Sequence, residues 1–106
     1  MQAVLADSRN EKWLSPVSVA EFWMLHFKKR VVLQESADTW LPKALAGLNE
    51  APVTHEVALA SGRYLSQLTD PADRIIAATA SVYGLRLITA DTALAKLPGI
   101  DVIVNE

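Results

Sequence analysis

The chain has 106 residues, of which 51% are hydrophobic and 21% are charged. This composition indicates one globular domain spanning residues 1–106 and excludes a disordered chain. The sequence has no cysteine, which excludes disulfide and thiolate chemistry and makes a reducing cytoplasm the expected location. It also has no apolar run of about 18 residues, so no membrane partner is expected. The net charge is −2, so a nucleic-acid binder of this composition would need a local basic patch or carboxylate-bound metal ions.

The first third of the sequence predicts one strand between two helical segments. Met1–Ala6 is interpreted as the last turns of a helix, and Trp13–Val17 as a short buried strand. Ser18 is predicted to begin a helix that runs to about Lys29. Ser18 as the N-cap and Glu21 three residues later match a capping-box pattern, which places both residues in the first turn.

The middle of the sequence predicts two further helices around a short extended segment. Ser36 is expected to cap a helix that ends near Gly47. Pro42 falls inside it and costs about 3 kcal/mol in a helix interior, so we expect a kink or a late start. Leu48–Val53 is expected to be extended, and Thr54–Leu68 to form the next helix.

The last third carries the clearest pattern. Asp70 is predicted as an N-cap, followed by proline at the first helical position and by the acid Asp73 at the third. This helix runs to Tyr83, and Gly84 suits a left-handed stop. The following elements are a strand at Leu85–Thr89, a helix at Thr92–Leu97 and a strand at Ile100–Val104. Alternating strands and helices with short connections predict an α/β fold with a central parallel sheet.

Three carboxylates occupy related places in this scheme. Glu21 lies one turn into the helix after the first strand, Asp73 one turn into the helix before the next clear strand, and Asp91 just beyond that strand's end. The crevice outside the carboxyl ends of parallel strands is a common ligand site. Clustered carboxylates suit magnesium or manganese, and the lack of cysteine argues against zinc.

Each acid also has an interpretation without chemistry. Glu21 would be the third-position acid of a capping box, and Asp73 the same kind of residue behind an Asp70 cap. Asp91 would be a turn residue that caps the next helix. An unrelated small α/β binding module therefore stays open, and it predicts that the three acids lie far apart.

Three strings resemble signatures of one family. Asp70-Pro-Ala-Asp-Arg-Ile-Ile-Ala-Ala-Thr-Ala80, Leu87-Ile-Thr-Ala-Asp91 and Leu14-Ser-Pro-Val-Ser-Val-Ala-Glu21 are similar, in order and spacing, to PIN-domain toxins of the VapC type from bacterial toxin–antitoxin modules. The resemblance implies a three-layer α/β/α fold and a magnesium-dependent (or manganese-dependent) endoribonuclease. It further implies an RNA substrate, a cognate antitoxin and a homodimer.

The resemblance also implies roles for single residues. Glu21, Asp73 and Asp91 match acidic residues that bind the metal and carry catalysis, and Thr89 matches a hydroxyl residue that supports the site. Ser18, Asp70 and Arg74 are expected as further supporting residues. Asp70 is expected mainly as the helix cap, and Arg74 as a partner of a site carboxylate or a phosphate.

One departure from the family concerns the N-terminus. Members begin with a central strand that carries a first aspartate, followed by a helix, and both are expected to be missing here. Asp7 is not expected to replace that aspartate, since it would lie in the loop after the predicted helix tail. The gap would leave two rows of backbone groups unpaired. We therefore expect a truncated domain with weak or no cleavage or, alternatively, a non-catalytic remnant that binds an antitoxin or partner subunit.

Overall fold

The computed structural model describes residues 3–29 and 32–104. Within them, strands and helices alternate along most of the chain. In chain order the elements are β1 (Ala3–Ala6), β2 (Lys12–Leu14), α1 (Pro16–Phe27), α2 (Ala37–Leu45), β3 (Asn49–Glu50), α3 (His55–Ser61) with a 3-10 turn at Gly62–Tyr64, α4 (Pro71–Tyr83), β4 (Arg86–Thr89), α5 (Thr92–Ala95) and β5 (Val102–Val104).

One five-stranded sheet organises the domain, with the strand order β3-β2-β1-β4-β5. The pairs β2–β3 and β4–β5 are parallel, whereas β1 is antiparallel to both of its neighbours. Four strands therefore run in one direction, and only the central strand is reversed. The predicted α/β class is confirmed, since helices flank a mostly parallel sheet in which only β1 runs the other way.

The N-terminal segment differs most from its prediction. Ala3–Ala6 is not a helix tail but the middle strand of the sheet, and Met1 and Gln2 lie outside the described residues. The expected gap at the centre of the sheet is therefore absent from the described part of the chain. A run of four apolar residues is too short for periodicity to separate helix from strand, and tertiary pairing on both sides decides for the strand.

A tight turn explains why β1 folds back onto β2. The Oδ1 atom of Asp7 accepts hydrogen bonds from the backbone amides of Arg9 and Glu11, both at 2.9 Å. Its Oδ2 atom accepts a bond of 3.2 Å from the indole nitrogen of Trp13 in β2. Asn10 adopts a left-handed φ of 63°, which asparagine tolerates better than most residues. Asp7 therefore stabilises the hairpin.

The later helices begin close to their predicted starts. Ser36, Thr54 and Asp70 each accept a backbone N–H at the start of α2, α3 and α4. Gly84 ends α4 with a left-handed φ of 65°. Pro42 lies inside α2, which begins directly after Ser36, so of the two expected effects the late start does not occur. The remaining predictions were too long: α3 ends at Ser61, α5 at Ala95, and β5 begins at Val102.

The core lies between the sheet and the helices α3, α4 and α5. Leu5 of β1 and Leu87 of β4 face each other in register, with exposed fractions of 1% and 0%. Ala77 and Ala78 are fully buried in α4, and their small side chains let the helix pack closely. A smaller cluster joins α1 to α2, where the rings of Phe22 and Trp40 stack with centroids 5.1 Å apart. No helix in residues 3–29 and 32–104 is long and apolar enough to cross a bilayer.

Candidate metal centre

The strand directions bring several functional candidates to one edge of the sheet. Since β2 and β4 run the same way, the ends of both strands, Leu14 and Thr89, lie at the same edge. The helix α1 begins directly after β2 and carries Glu21, and Asp91 follows β4 by two residues. The start of α4 brings Asp70 and Asp73 to the same place, because their carboxylates approach that of Glu21.

Glu21 does not cap α1, although the sequence pattern predicted that it would. The N-cap of α1 is Ser15, whose Oγ atom accepts a bond of 3.2 Å from the amide of Val17. The strand before it ends at Leu14 rather than Val17, so the predicted capping box of Ser18 and Glu21 is wrong. Ser18 is instead buried at the third position of α1. Glu21 lies at the sixth position, too far along to cap the helix.

The start of α4 carries two acids, the N-cap Asp70 and the first-turn residue Asp73. The Oδ1 atom of Asp70 accepts a bond of 2.9 Å from the amide of Ala72, which makes Asp70 the N-cap as predicted. Asp73 lies at the third helical position and is partly buried. The carboxylate of Asp73 does not accept the capping bond from Ala72, which goes to Asp70. It is therefore available to the site at the edge of the sheet.

Asp91 is fixed by the strand that precedes it. The side-chain oxygen of Thr89, which is 1% exposed, accepts a bond of 3.0 Å from the amide of Asp91. Asp91 in turn caps α5, since its Oδ1 atom accepts a bond of 2.8 Å from the amide of Ala93. Asp91 therefore caps α5, as the interpretation without chemistry predicted. Its other carboxylate oxygen does not take part in the capping bond.

The acids meet in space. Glu21, Asp70 and Asp73 each offer one carboxylate oxygen, and these three atoms lie within 4.8 Å of one another. Asp91 lies outside this tight group but is near enough for its charge to act on Asp73. Two of the three acids predicted to converge, Glu21 and Asp73, therefore lie together, which a module with scattered acids would not predict.

Burial and mutual repulsion raise the pKa values of two of these acids. Burial, followed by the charges of Asp70, Asp91 and Glu21, raises the pKa of Asp73 from 3.8 to about 6. Burial also raises the pKa of Glu21, with further contributions from the charge of Asp70 and a hydrogen bond to it. The positive end of the α4 dipole favours the charged form of Asp73, but only by about 0.3–1 kcal/mol. Burial and repulsion outweigh it, and the pKa of Asp73 is raised overall.

In residues 3–29 and 32–104, no lysine or arginine forms a salt bridge with the acidic group. Arg74 donates a bond of 3.4 Å to the backbone oxygen of Leu68, so the expected pairing with a site carboxylate is not what the structure shows. Within the described residues, lysine and arginine form ion pairs only at Lys43–Glu35 and Arg86–Asp101. Both pairs involve acids outside the group, Glu35 and Asp101.

These residues fit a divalent cation. Carboxylate oxygens are the ligands preferred by magnesium and manganese, and a cation between them would offset the repulsion that raises the pKa of Asp73. Sequence reasoning placed Glu21 and Asp73 here but treated Asp70 mainly as a cap. The pattern Asp-x-x-Asp at a helix start was the available signal, because the cap and the third residue lie within one turn.

The comparisons with known proteins agree with this geometry. No curated protein and no solved structure matches the chain. The model of one family, described as the PIN domain, matches residues 2–100. PIN domains are generally metal-dependent nucleases, which is the chemistry that an all-carboxylate site supports. Because the match spans almost the whole sequence, the chain belongs to the PIN-domain family.

Proposed function

We propose that this chain is a magnesium-dependent endoribonuclease of the toxin–antitoxin type, which hydrolyses phosphodiester bonds of RNA. The observation that carries the proposal is the convergence of Glu21, Asp70 and Asp73 within 4.8 Å, with the charge of Asp91 beside them. A family of metal-dependent nucleases supplies the reaction class, and the oxygen-only ligands support magnesium, with manganese as a substitute.

The chain's own residues would orient and charge the site. Glu21, Asp73 and Asp91 would hold the cation, and Thr89 would keep Asp91 in place through its hydrogen bond to the backbone. A divalent cation held there would neutralise phosphate charge and make water a better nucleophile. In the hydrolysis, a water oxygen forms a bond to phosphorus, one ester P–O bond breaks, and the leaving oxygen takes up a proton.

The proposed partners follow from the toxin resemblance. They are an RNA substrate, a cognate antitoxin and a second copy of the chain, and the proposed location is the cytoplasm. The net charge of −2 is consistent with a site that attracts phosphate through a bound cation rather than through a basic surface.

Incubation of the purified chain with RNA tests this proposal. With Mg²⁺ we expect slow endonucleolytic cleavage, visible when the protein is in excess over RNA, and none when EDTA replaces Mg²⁺. The cleavage should return when Mn²⁺ is added beyond the chelator. Products that form equally in EDTA, or intact RNA under every condition, would contradict the proposed activity.

A second candidate is a non-catalytic remnant that binds an antitoxin or partner subunit. It is favoured by the central strand, because β1 consists of Ala3-Val4-Leu5-Ala6 and adds no carboxylate to the edge. Calorimetric titration with Mg²⁺ separates the two candidates. A site with a dissociation constant in the millimolar range or below supports the nuclease, and no measurable heat of binding supports the remnant.

A further inference from the structure

Helix α1 has an apolar face that remains in solvent. The helix, Pro16–Phe27, contains few polar residues on any side. Its residue Phe22 is buried in the cluster with α2, whereas Trp23, Met24 and Phe27 are exposed. A helix that is apolar on all sides is normally covered. This face therefore indicates a contact that the described part of the chain does not itself make.

The exposed face carries two aromatic rings side by side. Trp23 and Phe27 are one helical turn apart, so their side chains are neighbours on the surface of α1. Phe27 is 87% exposed. The ring of Trp23 is partly exposed and rests edge-on against Phe22, with the ring centroids 6.0 Å apart. Bases of a single-stranded nucleic acid stack on exposed rings of this kind, so Trp23 and Phe27 form an aromatic platform.

Positive charge adjoins the aromatic platform. Lys28 and Lys29 directly follow Phe27, and both are exposed. Neither lysine forms a salt bridge within the part of the chain that the structure describes, where the paired cations are Lys43 and Arg86. Since the net charge of the whole chain is −2, these two lysines supply the local positive charge that contact with phosphate groups requires.

A row of neighbouring side chains joins the aromatic platform to the acidic edge. Glu21, Met24 and Phe27 are spaced three residues apart in α1, so each lies next to the following one on the helix surface. At a rise of 1.5 Å per residue, Glu21 and Phe27 are about 9 Å apart along the helix axis. A strand with its scissile phosphate at the acidic edge therefore has nearby bases within reach of the platform.

We propose that Trp23, Phe27 and Lys28 form a binding site for single-stranded RNA, with bases stacked on the two rings and a phosphate beside the lysine. This inference rests on the proposed function, because RNA is the substrate which that function names. An apolar face alone would suit a second copy of the chain equally well, but the lysines beside the rings favour a polyanion. Stacking requires unpaired bases, so the site should select single strands over duplexes.

Fluorescence anisotropy of a labelled oligoadenylate in EDTA measures binding without relying on cleavage. Phe27→Ala should bind at least about fivefold more weakly than the wild type, because one stacked base is lost. Phe27→Trp keeps a ring and should bind within about twofold of the wild type. Neither change should lower the melting temperature, since Phe27 is 87% exposed. Leu59→Ala is the matched control, because Leu59 is 81% exposed on α3, beside the end of α4, and it should bind RNA like the wild type.

Lys28→Gln tests the phosphate contact separately. The backbone rather than the side chain of Lys28 caps α1, so this change leaves the helix intact. The slope of the logarithm of affinity against the logarithm of salt concentration should become shallower by about 0.7, the contribution of one phosphate contact on a single strand. Lys12→Gln removes the same charge at the start of β2, away from the acidic edge, and should leave the slope unchanged.

The outcomes distinguish this inference from the proposed function. RNA affinity that Phe27→Ala leaves unchanged overturns the binding site, and the nuclease still stands if cleavage with Mg²⁺ is observed. A dimer that dissociates in Phe27→Ala, with unchanged RNA affinity, assigns the face to a second copy instead. Duplex RNA that binds as tightly as the single strand also contradicts base stacking. Binding that depends on Phe27 in a protein that never cleaves RNA supports the site and refutes the nuclease.

Discussion

Asp73→Asn is expected to lower Mg²⁺-dependent RNA cleavage at least about 100-fold. Changes to residues behind a metal ligand already cost about 10- to 100-fold, and Asp73 lies in the acidic group with Glu21 and Asp70, where the charge of Asp91 also acts on it. Initial rates measured with labelled RNA and excess protein provide the test. Glu11→Gln should retain the wild-type rate, which would show that the loss does not arise from net charge.

The same variant is expected to be more stable than the wild type when metal is absent. Because the pKa of Asp73 is raised from 3.8 to about 6, the folded state binds its proton more tightly than the unfolded state does. The stability of the wild type should therefore rise as the pH falls from 7 through 6 towards 4. After allowance for solvent screening, the gain is about 1–2 kcal/mol.

Urea unfolding at pH 7 and pH 5 in EDTA measures this difference. Asp73→Asn lacks the unfavourable charge, so it should exceed the wild type at pH 7, and its own stability should change less between the two pH values. An Asp73→Asn protein that is less stable than the wild type at pH 7 would show that the acid serves the fold rather than the site. Unchanged cleavage by this variant would show that Asp73 takes no part in the reaction.

Leu5→Ala is expected to destabilise the domain by about 2–5 kcal/mol. Leu5 is 1% exposed and pairs in register with Leu87 at the centre of the sheet, so truncation leaves a cavity that the strands on both sides cannot easily fill. This loss is a large share of the about 5–15 kcal/mol that stabilises most domains. Chemical denaturation of the wild type and the variant gives the value directly.

An exposed side chain in an edge strand provides the control. Val104 in β5 is 41% exposed, and Val104→Ala should cost less than about 0.5 kcal/mol. A cost for Leu5→Ala as small as that of the control would mean that Ala3–Ala6 is not the central strand, and the helix-tail interpretation would regain support.

The C-terminal part of the fold was predictable because its signals are local. Asp70, Pro71 and Asp73 mark the start of α4, and Gly84 marks its end, since each residue acts on backbone groups within one turn. The parallel pairing of β4 with β5 follows from the helix that connects them. These features depend on no distant part of the chain.

The N-terminal strand was not predictable in the same way. Ala3–Ala6 contains residues that suit a helix as well as a strand. Its conformation is decided by hydrogen bonds to β2 on one side and to β4 on the other, and β4 is far from it in sequence. The Asp7–Asn10 turn was the local signal for a hairpin. The start of α1 was misplaced for a related reason, because Ser15 and Ser18 are both suitable caps and only the end of β2 selects Ser15.

The sequence predicted the edge of the sheet at which the acids lie, but not which of them lie closest together. Strand direction alone places Glu21 and Asp91 at the carboxyl ends of parallel strands, as the sequence indicated. Which of the acids approach most closely depends on how α4 packs against α1, and this packing brings Asp70 rather than Asp91 into contact range of Glu21. Tertiary packing of this kind has no counterpart in local sequence spacing.

The central claim is that the acidic edge binds one divalent cation. Crystals of the wild-type protein soaked in Mn²⁺ test it most directly, through the anomalous scattering of manganese. We predict one strong peak in contact with carboxylate oxygens of both Glu21 and Asp73. Manganese that is found only elsewhere on the surface, or no peak at this edge at saturating Mn²⁺, would contradict the account.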